Sequence, residues 1–224
     1  MSGLPKIGNP RSLSEQAYEV IKDAIITNRL QPNQVLTEEE LAAQLGISRT
    51  PLRTALNRLA FEKLVEVSPG RGAVVARISL EEIHHLSVIR EALEPLAAGL
   101  AVPHLTSEQI DGLEEALELQ KASIEQGDYM EYLRQDLVFH NRLAFYSQNG
   151  PLAEIIENLS VKVQRFLILA QNLTQMAPVA LHEHYAVLEA LKNRDSDGAA
   201  RAMKAHVHNA CKRMPNEGHG RITG

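Results

Sequence analysis

Asp136 and His140 stand four residues apart, so on a helix both project from one face. Leu133, Leu137 and Leu143 share that face, which directs it inward. His184 lies on a stripe with Leu181, Leu188 and Leu191, whereas His182 falls beside Tyr185 and Glu189. His206 accompanies Ala199, Ala202, Met203 and Ala210, whereas His208 lies with Arg201, Lys204 and Lys212. Helical periodicity therefore selects His184 over His182 and His206 over His208. Asp136, His140, His184 and His206 are four ligand-type groups on three inward faces, and burying such groups unpaired costs free energy. One divalent metal would satisfy all four. Three imidazoles and a carboxylate suit zinc, with nickel or manganese as alternatives and water or an anion completing the shell. On the residues alone two other readings stay open. The groups could form separate hydrogen bonds in a packed core, or the metal could activate water in a metal-dependent hydrolase. The second would need a further acid–base group, and no spacing identifies one.

A second set of chemistry-bearing residues lies upstream: Ser48, Arg49, Thr50 and Arg53, with Arg71-Gly72 beyond them. The elements that would position them are short. Leu13, Ala17, Val20, Ile21, Ala24 and Ile25 predict a helix over 13–28, and Pro32-Asn33 predicts a turn over 29–36. Thr37 with Glu40 makes a capping box for a helix over 38–45, which Gly46 ends. Ser48 or Thr50 caps a third helix to about residue 63, with Pro51 in its first turn. Val65-Glu66-Val67 and Ala73–Ala76 flank Ser68–Gly72 as a strand, turn and strand. This is the order of a winged helix-turn-helix. It presents Arg49, Thr50 and Arg53 from one helix face to base edges or phosphates, and Arg71 from a hairpin tip.

Charge divides the chain near residue 77. The 224 residues carry a net charge of −5, which taken whole argues against nucleic acid. Residues 1–77 hold ten Lys and Arg against eight Asp and Glu, and within 47–77 the count is six against two. All nine histidines lie beyond residue 83, so the acidic excess and the ligand-type groups share the second part. A single cysteine, Cys211, excludes an intramolecular disulfide framework and a Cys-based zinc finger. No apolar run is long enough to span a bilayer, and Met1–Pro10 lacks a signal-peptide core. The expectation is a cytoplasmic protein with no membrane partner.

The second part reads as six antiparallel helices. They are expected over 80–102, 107–126, from the Asp128 cap to 147, over 151–170, over 178–193, and from the Asp195 cap to 214. Residues 171–177 are expected to be looser. Ile83, Leu86, Ile89, Leu93, Leu96 and Leu100 form the apolar register of the first of these helices. The fold class is thus mainly α: a winged helix-turn-helix over 13–77 and an antiparallel all-α bundle over 78–214. A flexible arm over 1–12 and a flexible tail over 215–224 complete the chain.

Ser48-Arg49-Thr50-Pro51, with Arg53 and Ala55-Leu56, closely resembles the recognition-helix core of the GntR family of bacterial transcription regulators. The resemblance implies that Ser48, Arg49, Thr50 and Arg53 contact double-stranded DNA and that Arg71-Gly72 forms the wing tip. Some members carry an arginine at the start of the second helix; here that place is Glu39, so its role is not carried over. Asp136–His140, Glu183-His184 and Met203–His206 resemble the FCD-type ligand-binding domain of the FadR subfamily, in its smaller six-helix branch. That resemblance implies a divalent metal on Asp136, His140, His184 and His206 at the base of a cavity for a small carboxylate effector. Arg90 resembles a family position that faces the cavity, and its own periodicity sets it with Leu86, Leu93 and Ala97; a salt bridge to Glu94 is the alternative. Arg165 and Gln164 are further effector candidates. The expected protein is a homodimeric, non-enzymatic repressor that meets a palindromic operator and is released by its effector. The alternative is a regulator for which the ion itself is the signal.

Overall fold

Ser12 opens the first helix by accepting a hydrogen bond from the Glu15 backbone N–H at 3.2 Å, and α1 then runs Leu13–Ile26. Its buried face is Ala17, Tyr18, Ile21 and Ile25. Thr37 caps α2 (Glu38–Leu45), accepting from the Glu40 backbone N–H while its hydroxyl donates to the Glu40 carboxylate at 2.7 Å. Gly46 leaves that helix at φ +65°, a left-handed conformation that glycine adopts without a Cβ penalty. The tight exit turns the chain directly into α3 (Arg49–Phe61), whose Leu52, Ala55, Leu56 and Leu59 are buried against α1. Exposed Arg49, Thr50 and Arg53 occupy the other side.

A three-stranded antiparallel sheet follows, in the order β1 (Val35–Leu36), β3 (Gly72–Val75), β2 (Val65–Ser68). Leu36 and Val67 both pair with Ala73. The predicted turn over 29–36 therefore ends in a strand, which two residues are too short to announce by alternation. Gly72 sits at φ +103°, and a Cβ there would stand 2.1 Å from the Leu36 carbonyl oxygen. Gly72 is buried beneath β1 rather than displayed at an exposed tip.

The structure is a computed structural model that describes residues 11–68, 72–170 and 172–214. The expected arm up to residue 10, the tail over 215–224, and Arg71 lie outside the described residues. The chain forms two units, dividing between Arg77 and Ile78. Among the described residues the second unit contains six α-helices: α4 (Leu80–Ala101), α5 (Ser107–Gln126), α6 (Tyr129–Tyr146), α7 (Gly150–Ala170), α8 (Leu173–Lys192) and α9 (Ser196–Arg213). Ser79, Thr106, Asp128 and Asp195 cap four of them through side-chain oxygens. A core of Leu113, Leu117, Phe139, Val187, Leu191 and Met203 joins α5, α6, α8 and α9.

Two helices differ from the expected pattern. α8 begins at Leu173, so residues 173–177 are helical and Pro178 lies inside the helix. An interior proline removes a backbone hydrogen bond, typically costing about 3 kcal/mol. Buried Met176 and Ala177, immediately before it, contribute the packing that offsets it. α4 is apolar on two faces rather than one. Ile83, Leu86, Arg90, Glu94, Ala97, Ala98 and Ala101 are buried, whereas Ile89, Leu96 and Leu100, expected in the core register, are 39–50% exposed beside Val88. The single stripe read from spacing merged these two faces. No helix among the described residues is long and apolar enough to cross a membrane.

Candidate functional site

Three buried imidazoles meet inside the second unit. His140 comes from α6, His184 from α8 and His206 from α9, each at most 4% exposed. One ring nitrogen from each lies within 4.8 Å of the other two. The excluded alternatives face outward: His182 is exposed, and His208 pairs with Glu91 on the surface. Asp136, one turn before His140, places a carboxylate oxygen 3.6 Å from His184 Nε2 and 4.0 Å from His140 Nε2.

The outer nitrogen of every ring faces an oxygen. His184 Nδ1 lies 3.0 Å from the Gln120 side-chain oxygen, His206 Nδ1 lies 3.0 Å from Glu183, and His140 Nδ1 lies 2.8 Å from Glu94. An amide oxygen or a carboxylate can only accept, so Nδ1 of His184 and of His206 is the protonated nitrogen in these bonds. The lone pairs are then on Nε2 and point toward one another. His184 Nε2 and His206 Nε2 stand 3.2 Å apart, and neither ring nitrogen of His140 has a hydrogen-bond partner among the described residues. Converging lone pairs in a water-poor interior repel unless a cation lies among them. The donor set fits a divalent metal, and its oriented outer partners are those that metal-binding histidines normally carry.

The electrostatics keep two of the rings neutral. Burial pushes the His184 pKa well below the ordinary histidine value, and His206, His140 and nearby guanidiniums push it further. Burial also lowers His206, against the opposing bond from Glu183. Burial pulls His140 down too, but Glu94 beside it more than compensates and the net shift is upward. Glu94 is held far below the usual carboxylate range despite its burial, because Arg90 and His140 flank it. Glu183 is lowered to about 2; its partial burial is outweighed by bonds from His206, Arg213 and Asn209.

A cavity opens beside this cluster, between α4, α6, α7, α8 and α9. Arg90, Asp136, His140, His206 and Arg213 line one end. Arg90 also pairs with Glu94, so the cavity-facing and salt-bridged positions expected of it coexist. Arg213 grips Glu183 with two bonds of 2.7 and 2.8 Å. Each cavity guanidinium is thus tied, through one carboxylate, to the Nδ1 of one imidazole. Arg165 is placed differently from the expectation: it is buried but does not line the cavity. Ser160, Val163, Gln164 and Leu167 form the lining stripe of α7, and Arg165 falls about 100° off it. Glu94, Gln120, Glu183 and Arg213 were not read as site residues, because each acts across to a different helix and no local spacing marks it.

On the first unit, Arg49 contacts Glu39 at 3.3 Å, and Arg53 Nε donates to both Glu38 oxygens at 2.8 and 3.0 Å. Both arginines are 57% exposed, so these are surface pairs that an incoming phosphate or base edge can replace. Ser48 is exposed at the N-cap of α3 without a side-chain capping bond, leaving its hydroxyl for another partner. Asn57, exposed one turn beyond Arg53, joins this face.

Residues 13–75 match the bacterial regulatory proteins of the gntR family, and residues 85–209 match the FCD domain. The chain is 30% identical over 200 residues to the HTH-type transcriptional repressor RspR of Escherichia coli K12, covering 89% of this chain and 88% of that protein. It is 34% identical over 196 residues to the HTH-type transcriptional regulator McbR of the same strain, with 84% and 86% covered. The solved structure of E. coli McbR/YncC matches with a TM-score of 0.81 at 27% identity, over 92% of this chain and 98% of that one. A DNA-reading helix-turn-helix joined to a helical ligand-type domain is the arrangement of a transcription regulator, not of an enzyme. The chain belongs to the GntR family of DNA-binding bacterial transcription regulators, in the FadR subfamily that carries an FCD domain.

Proposed function

We propose that this regulator is a homodimeric repressor that binds a palindromic operator and is released from it by a small carboxylate bound beside a divalent metal. Arg49, Thr50 and Arg53, with Ser48 and Arg71, would contact the DNA. Asp136, His140, His184 and His206 would hold the metal, for which zinc fits the nitrogen-rich donor set best. The ion would supply positive charge at the end of the cavity, toward which a carboxylate is drawn. The observation that carries this reading is the facing of His184 Nε2 and His206 Nε2 at 3.2 Å at the end of a cavity that also holds Arg90 and Arg213. An anion there competes with Glu94 and Glu183 for the two guanidiniums, one on α4 and one on α9. α4 starts at Leu80, three residues past the DNA-binding unit, which supports a shift between states of different operator affinity. The test is a gel-shift titration of the zinc-loaded protein on an operator selected from random DNA. Release by organic acids is expected; tighter binding would reverse the proposed sign.

The second apolar face of α4 supports the dimer. Val88, Ile89, Leu96 and Leu100 are exposed at helical spacing, more apolar surface than an isolated helix face normally leaves in water. Leu96→Glu would place a charge in the dry centre of such an interface. It is expected to weaken self-association by at least about a hundredfold, by the cost of desolvating a carboxylate. Light scattering after size exclusion should show a monomer with unchanged helix content. A dimer of unaltered stability would place the interface elsewhere.

A further inference from the structure

The rest of the cavity lining has a different chemistry. Val163 and Leu167 of α7, Leu173, Met176 and Ala180 of α8, and Met214 form an apolar wall. Few polar groups interrupt it. Gln164 already donates to the Leu133 carbonyl at 3.0 Å, and Tyr132 faces Asp136. Ser160 Oγ is the one buried hydroxyl of this lining without a partner among the described residues.

Charge at the polar end is nearly balanced. Glu94 neutralises Arg90, and Glu183 neutralises Arg213 through a two-bond fork. Asp136 offsets half of a divalent ion, and the three imidazoles count as neutral ligands. One uncompensated positive charge remains when the ion is bound, which matches a single carboxylate. A second carboxylate would lie against the apolar wall with no cation to meet it, and the hydroxyls of a polyol would outnumber the polar groups there.

We infer that the ligand of this cavity is a monocarboxylate with an apolar body of several carbons, its head at Arg90 and Arg213 and its tail along α7 and α8, rather than a dicarboxylate or a sugar acid. This rests on the effector reading above and narrows it to one chemical class. Ser160 offers a hydrogen bond to one polar substituent on that body.

Calorimetry on the zinc-loaded full-length protein tests it, with acetate, butyrate, hexanoate, adipate and gluconate as probes. Affinity is expected to rise about three- to fourfold per added methylene from acetate to hexanoate. Adipate and gluconate, of the same chain length, should bind at least about a hundredfold more weakly than hexanoate. Met176→Gln should flatten the chain-length series; an unaltered series would remove the tail from this wall. Adipate or gluconate binding more tightly than hexanoate overturns the inference and leaves the carboxylate-effector reading standing. Failure of every acid to bind, with operator binding equally indifferent, overturns both.

Discussion

Arg49→Ala combined with Arg53→Ala is expected to lower affinity for the cognate operator by about a thousandfold while leaving the fold intact. A well-placed bidentate arginine contributes about 1–3 kcal/mol of base discrimination, so two lost together amount to two to four decades. The fold should survive because both side chains point away from the Leu52, Leu56 and Leu59 stripe that holds α3 in place. Of their present partners, Glu39 lies on an open surface where an ion pair adds little stability, while the Glu38 side chain is 14% exposed. Arg53 bonds Glu38 through Nε, an arrangement that orients the guanidinium and leaves its terminal nitrogens for DNA. The single variants separate two roles. Loss of a base-reading arginine relaxes sequence preference, whereas loss of a phosphate contact weakens all sequences alike and reduces the salt slope by about one. Binding curves on operator and scrambled DNA at several salt concentrations measure both. Wild-type discrimination retained by the double variant would remove α3 from sequence recognition.

The same helix shows what local sequence can reveal. Thr37, Gly46 and the leucine stripe of α3 each act within a few residues, and the helix-turn-helix follows from them. Burial of His184 and His206 against exposure of His182 and His208 also follows from period alone, since two residues of offset turn a helix by about 200°. What spacing does not carry is any relation between elements. β1 exists because Leu36 and Val35 pair with Ala73 and Val74, nearly forty positions away. Pro178 signals a helix start in isolation, yet buried Met176 and Ala177 extend α8 upstream of it. Glu94, Gln120 and Glu183 face imidazoles borne by other helices, and nothing near them in the chain announces that role. The inward histidines are legible as faces; the groups that aim them become visible only in three dimensions.

His184→Ala tests the aim itself. His184 is fully buried, its Nδ1 is directed by Gln120, and its Nε2 faces both His206 and Asp136. Removing it deletes one of three nitrogen donors and is expected to lower zinc affinity by at least about a hundredfold, more than loss of an outer partner costs. Two measurements distinguish a metal centre from a packed histidine core. In the wild type, bound zinc at a thousandfold excess over its Kd adds about 4 kcal/mol of stability, so a chelator should lower Tm markedly. In His184→Ala the starting Tm should already sit near the chelated wild-type value, and the chelator should change it little. A packed core predicts a different pattern. With no cation present, the variant would lose a buried ring and leave the Gln120 oxygen unpaired, so its Tm would fall below that of the chelated wild type, and neither protein would respond to chelator. Elemental analysis of the purified proteins supplies the independent readout. Full metal content in His184→Ala would overturn the assigned ligand set, whatever the melting curves show.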